Sequence, residues 1–400
     1  MLGMGSFGTP RINPWLTVEM LAPEGMSAAS VGGEPRDFAG WQRVVQRLLA
    51  KLPPAYGLST SSACQAILTA SREAIDVDLR VDTDAGPHRM LARPVLGPAG
   101  DVHAVRLWLG PAGARVPRPT PAVGGIWDLA SQTIRLPAGV TELAGMSPED
   151  YAPAMSIAEL FHRWTGFDRH AEVLDLLYDP NPGASLQFDV TVGISARWLI
   201  SMRARDDLRT EGAWLLIEDA GPVDPAAQVT ALERVALREA HRRAGTHLGV
   251  LQVEHASISH WLTDPAPWVR WDNLPSPVEV FHPDDRARLA EVAERLRSGV
   301  AATVTLRVLN HSGGYGPASL SLYPYPGYSA KHLAIAEFVR VSAPEESGPV
   351  NVNSGRMVME RSRCRAPLAE EVVTAPFHAL GNRLPACGDG LSRQVRGTKS

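Results

Sequence analysis

The sequence predicts a mixed α/β (α+β) chain of three modules, each an antiparallel sheet covered by helices, followed by a tail without regular structure. Three observations carry this expectation. Helix-like and strand-like apolar periods alternate from Trp15 to Val341, one stretch repeats its pattern at a shift of 116 residues, and no sustained period follows Val341. A length of 400 residues with 44% hydrophobic side chains gives material for several separate cores. Pro/Gly-rich breaks at Gly110–Gly125 and Gly221–Pro225 place the boundaries. The modules then span residues 1–118, 119–222 and 246–342, with a connector at 223–245 and a tail at 343–400 expected to be disordered.

In the first module, Phe38, Trp41, Val44, Val45, Leu48 and Leu49 recur at helical spacing, predicting a helix over Asp37–Leu52. A second helix is expected near Ser62–Ile75, then strands at Asp76–Val81, His88–Val95 and Val102–Leu109. The middle module opens with strands at Gly125–Leu129 and Thr133–Leu136 and short helical pieces over Thr141–Thr165. A longer helix over Asp168–Tyr178 and strands at Ser185–Val192, Trp198–Arg205 and Ala213–Glu218 complete it.

Pro225–Ala244 reads as one connector helix, with Asp224 as N-cap, Pro225 at its first position and Gly245 as its stop. Its stripe of Val229, Leu232, Val235 and Ala236 suits docking on a module of this chain or on a second copy. The third module repeats the order: strands at His247–Val253 and Ser257–Leu262, a helix at Asp284–Arg297, and strands at Ala301–Leu309, Ala318–Tyr323 and His332–Val341. Sliding Phe167–Val192 onto Pro283–Val308 needs no gap. Asp168 meets Asp284 at the helix start, Gly183 meets Gly299 at its stop, and Val190 meets Leu306 on the following strand.

Charged residues make up 20% of the chain and the formal net charge is −4, so the overall field does not attract a polyanion and nucleic acid is not expected as a partner. The cysteines Cys64, Cys364 and Cys387 are odd in number and lack ligand spacing, fitting neither a disulfide framework nor a zinc site. No apolar run approaches membrane-spanning length and the first residues lack the pattern of a secretory signal, so the expected location is the cytoplasm.

Gly3, Gly5 and Gly8 satisfy the spacing of a dinucleotide loop, but no strand precedes them. Walker A, HExxH, GxSxG and paired CxxC patterns are absent. No catalytic or metal-binding residue is therefore assigned, and the sequence requires no cofactor. His241, His247, His255 and His260 are close in sequence, yet their spacing suits helix-end and strand positions better than ligation.

Trp127, Phe161, Trp164, Phe167, Phe188 and Trp198 crowd the middle module, with His162 among them. Such rings fill a core, or line a small-molecule pocket when one polar group converges on them. If a ligand binds, Trp164, His162, Trp127, Trp198 and Phe161 are its candidate contacts. Tyr323, Tyr325 and Tyr328, in an aromatic and proline-rich bend, are the candidate partner surface.

The element order of the second and third modules resembles that of PAS domains. Val280–Leu289 (VFHPDDRARL) is similar to the family's lead-in to its long helix, Leu306–Pro324 to its glycine-turn hairpin, Gly125–Leu129 (GIWDL) to its first strand and Arg197–Asp206 to its penultimate one. The first module, with two helices ahead of its strands, resembles a GAF domain. Residues 15–341 thus resemble actinobacterial proteins carrying tandem PAS and GAF modules without an output domain. The resemblance implies a non-enzymatic sensory protein that binds a small ligand, a protein partner or both, with a homodimer possible through the connector. An enzyme with its site at a domain interface, or an interaction scaffold with filled cores, remains the alternative.

Overall fold

The computed structural model describes residues 14–341, apart from 24, 53–57, 84–85, 166, 180, 194, 208–209, 224–231 and 327–332. The dinucleotide-like glycines, Tyr328, the start of the connector and the tail all lie outside the described residues.

The first sheet uses β1 (Leu16–Glu19), β2 (Ser27–Val31), β3 (Glu34–Ala39), β4 (Val77–Val81), β5 (His88–Leu96) and β6 (Val102–Pro111) in the order β3-β2-β1-β6-β5-β4. Helices α1 (Trp41–Leu49) and α2 (Thr60–Glu73) intervene between β3 and β4. The middle sheet uses β7 (Ala122–Asp128), β8 (Thr133–Arg135), β9 (Ala154–Ser156), β10 (Trp164–Thr165), β11 (Ser185–Val192), β12 (Ala196–Asp207) and β13 (Thr210–Pro222), ordered β10-β11-β12-β13-β7-β8-β9. Its helices are two 3₁₀ turns, α3 (Ile157–Arg163) and α4 (His170–Tyr178). The third sheet follows α5 (Leu232–Ala244) and uses β14 (His247–Gln252), β15 (Ser257–Trp261), β16 (Ala302–Leu309), β17 (Tyr315–Pro324) and β18 (Leu333–Arg340), ordered β15-β14-β18-β17-β16, with α6 (Pro283–Arg297) before β16.

Counted within each module, the five core strands therefore lie 2-1-5-4-3 in all three sheets, and every pairing is antiparallel. The repeat is visible residue by residue. Gly183 and Gly299 both hold φ near +80° where the helix turns back to the sheet, a conformation that costs glycine little. Val190 and Leu306 both sit on the first strand after that turn.

Two expectations need correction. The first helix begins at Trp41, because Glu34–Ala39 forms an edge strand in which Asp37 and Phe38 take positive φ. Asp168 stays ahead of α4, whose N-cap is Arg169 without a side-chain bond, whereas Asp284 does occupy the first turn of α6. In the described part of the connector no residue of α5 is buried and Leu232 is 77% exposed, while Arg234 Nη2 donates to the Phe167 carbonyl oxygen at 2.9 Å and Arg238 pairs with Asp264 at 3.2 Å.

Strand alternation sets the layering. On β1, Leu16 and Val18 pack under α1 and α2 with Trp41, Val45 and Ile67, while Thr17 and Glu19 point to the opposite face. On β13, Ala213, Leu215 and Ile217 face the middle helices, while Trp214, Leu216 and Glu218 face the first sheet. The first and middle sheets are thus back to back, each with helices on its outer side. The third sheet leans on the other side of the middle helices: Val250 and Leu333 join the middle core, and Ala158 of α3 joins the core under α6.

The seam between the first two sheets is polar at its centre. Glu19, fully buried, accepts from Arg203 Nε at 3.1 Å and Nη2 at 2.9 Å, from the Leu21 N–H at 2.9 Å, and from Ser27. Glu218 accepts from Thr17 Oγ1 at 2.6 Å and Ser30 Oγ at 2.9 Å, and burial raises its pKa against the pull of those donors and of Arg106. His103 Nδ1 bonds the Leu215 carbonyl oxygen at 2.8 Å, and its ring stacks on Trp214 at 4.3 Å. Gly124 is required there, because a Cβ would run into the His103 ring. A buried ion pair that loses one member leaves an uncompensated charge. Glu19→Ala should therefore cost about 3–5 kcal/mol in urea unfolding. Arg89→Ala, which removes the more open pair with Asp78, should leave the urea midpoint almost unchanged.

Candidate functional site

The predicted aromatic residues do converge in the middle module, but as a closed core. Trp127 and Trp198 are fully buried, and Phe161 and Trp164 nearly so. Each central indole N–H is already used: Trp127 donates to the Leu177 carbonyl oxygen at 3.0 Å and Trp198 to that of Ala144 at 2.8 Å. His162 does not join them. It lies on the outer side of α3, where its ring meets Trp271 of the third module edge-on at 5.2 Å. Hollows open elsewhere, among them one of about 430 Å³ beside Gly145, Ser195 and Asp219, and one of about 420 Å³ beside Trp268, Asn310 and Arg340.

What sequence spacing did not reveal is a histidine pair across the boundary of the second and third modules. His170 opens α4, His260 lies on β15, and their rings stack at 4.1 Å. Phe161 meets both edge-on at 5.3 Å, and Phe167 packs against His170 at 4.6 Å. Burial is the largest cause lowering both pKa values. His170 falls to about 4, with Arg234 lowering it further and Asp168 opposing, while His260 lies well below its ordinary value, helped down by His170, Arg234 and His162. Both rings are neutral at pH 7. Two further contacts close the boundary: Ser259 Oγ to Tyr178 OH at 3.0 Å and Ser257 Oγ to Gln132 Oε1 at 3.1 Å. Within this aromatic box the buried Trp164 Nε1 and His260 Nδ1 have no hydrogen-bond partner.

The tyrosine set divides. Tyr323 is exposed on β17, but Tyr325 is half-buried against the middle core and its pKa is raised by that burial, so it serves a contact within the chain. Among the described residues no group of three or more His, Cys, Asp or Glu side chains is placed to hold a metal ion. None of the described helices is long and apolar enough to cross a membrane.

Two outcomes follow. Trp198→Ala should cost about 3–5 kcal/mol of unfolding free energy, since it opens a void and strands the Ala144 carbonyl, whereas His162→Ala should stay within about 1 kcal/mol. The histidine pair sets a pH dependence. With folded pKa values below the unfolded value near 6.5, the unfolded chain binds more protons, so stability falls as pH drops from about 6.5 towards 4. His170→Gln should flatten that fall in melts at stepped pH, and an unchanged slope would remove the pair from the explanation.

Comparison with known proteins gives two family matches. Residues 14–118 match the model described as Rv3651-like, N-terminal, and residues 233–323 match the one described as Rv3651-like, C-terminal domain. No curated protein matches. Among solved structures, an RNA-binding light-oxygen-voltage receptor is 11% identical over 55% of this chain and 95% of its own, with a TM-score of 0.21. An uncharacterized protein from Mycobacterium tuberculosis is 17% identical over 82% of this chain and 96% of its own, with a TM-score of 0.66, so the two share a fold; in this chain the two matched segments flank a middle sheet that neither family model covers.

Proposed function

We propose that this is a non-enzymatic sensory or interaction protein of three PAS-like modules, which recognises its partners or ligands on surfaces and module boundaries rather than inside a module. The 2-1-5-4-3 strand order repeated three times supports the PAS-like reading. The observation that carries the rest is the state of the middle interior: Trp127 and Trp198 occupy the space between sheet and helices, and their N–H groups bind backbone carbonyls. A resident flavin, haem or similar ring system would have to displace both. The half-buried imidazoles of His170 and His260 lie among aromatic rings rather than beside a substrate-sized hollow.

A second reading has one observation in its favour. The unpartnered Trp164 Nε1 and His260 Nδ1 share one aromatic box, so a small polar molecule between them would act as a ligand at the boundary of the middle and third modules.

Native mass spectrometry and an absorption spectrum of the purified chain test the main reading. The expected result is the bare polypeptide mass with only tryptophan and tyrosine bands. A stoichiometric chromophore, retained and lost on Trp198→Ala, would overturn it. A small colourless adduct lost on Trp164→Phe would favour the second reading instead.

A further inference from the structure

The chain between the first and middle sheets carries a cluster of cations that neither module consumes. The segment from Ala112 to Pro121 contains Arg115 and Arg118, with Pro117 and Pro119 fixing φ near −65° around the second arginine. It is anchored to the first sheet. Trp15, nearly buried, donates its indole N–H to the Pro117 carbonyl oxygen at 2.8 Å, and Ala114 and Val116 pack against the cluster of Trp15, Leu91 and Trp108. In an extended segment of about three residues per turn, positions three apart share a side. Arg115 and Arg118 accordingly line the same hollow, of about 490 Å³, together with Arg93 of β5.

The charges around this hollow are unbalanced. Arg93 is paired with Asp76 at 3.2 Å, and its guanidinium carbon lies 5.6 Å from the Trp15 ring centre. Directly across the strand pair, Arg93 faces Arg106, whose Nε and Nη2 are buried without a hydrogen-bond partner. Like charges opposite one another on antiparallel strands are destabilising. The carboxylate nearest in effect to Arg106 is Glu218 on its other side, which already accepts from Thr17 and Ser30. Arg115 and Arg118 are exposed and make no ion pair among the described residues. Among the described residues, Asp76 is thus the one carboxylate that pairs with an arginine of the hollow.

We infer that the hollow formed by Arg93, Arg115 and Arg118 is a binding site for a small molecule carrying two adjacent phosphate groups. Guanidinium forks match phosphate oxygens in bidentate geometry, which a lysine would not reproduce. Two uncompensated forks on one side of a stiff segment suit two linked anionic groups better than one. The prolines and the Trp15 anchor hold the segment before a ligand arrives, so little chain ordering opposes binding. The site lies at the junction of the first two modules, where occupancy would brace the linker against β5.

Isothermal titration of the full chain with inorganic pyrophosphate at low ionic strength tests this assignment. Wild type is expected to bind one equivalent, with orthophosphate at least tenfold weaker. Replacing Arg115 and Arg118 together by alanine is expected to lower pyrophosphate affinity at least tenfold with an unchanged melting temperature, because both side chains are exposed. Arg47→Ala, an exposed arginine on α1 away from the hollow, should leave affinity unchanged. Absence of pyrophosphate binding to wild type, or equal affinity in the double variant, would overturn the site. An equal loss in Arg47→Ala would show diffuse charge attraction only, and orthophosphate binding as tightly as pyrophosphate would overturn the two-phosphate assignment.

Discussion

The carboxylate of Glu19, sealed between two sheets, is the constraint on which the arrangement of the first two modules depends. A lone buried charge would cost several kcal/mol, so the strand carrying it must lie where Arg203 of the next module can reach it. Apolar surfaces tolerate sliding, but this pair does not. Once Arg203 is seated, Thr17 and Ser30 fall in reach of Glu218, and His103 lies over Trp214 with Gly124 beneath its ring. The hydrogen bonds of Thr17 and Ser30 to Glu218 and of His103 to Leu215 each join residues more than 100 positions apart, so folding of one module is coupled to folding of the other.

The second boundary is built from different chemistry. There the aromatic faces of Phe161 and Phe167 enclose two neutral imidazoles, and hydroxyl contacts from Ser257 and Ser259 finish the seam. A seam that relies on uncharged histidine is sensitive to acid, whereas one built on Glu19 and Arg203 holds its charges in compensated form. The interior of the middle module is occupied by Trp127 and Trp198. On the function proposed above, recognition falls to the boundaries, the linker after β6 and the connector helix α5.

Much of the fold was legible because it is written in local period. Ser185–Val192 emerges at the same bounds as the reading by alternation, and the glycine stops at Gly183 and Gly299 follow from the 116-residue repeat. The edge strand β3 escaped because Glu34–Ala39 has no alternation and depends on two residues at positive φ. The candidate site was legible in composition only. Trp127, Trp164 and Trp198 stand out as apolar mass, but whether rings fill or line a space depends on where their N–H groups point, which spacing does not encode. His170 and His260 lie on elements of different modules, and no pattern within one element links them. Tyr325 likewise reads as exposed in an isolated bend and is half-buried only because the middle core lies beside it.

The central claim is that polar seams make the three sheets one cooperative body. Native-state hydrogen exchange followed by mass spectrometry addresses it directly. Amides on β1, β12 and β14 should lose protection together, at a single free energy close to that of global unfolding. Exchange from β1 or β14 at a free energy well below that of β12 would mean that the outer modules open independently, and would contradict the account.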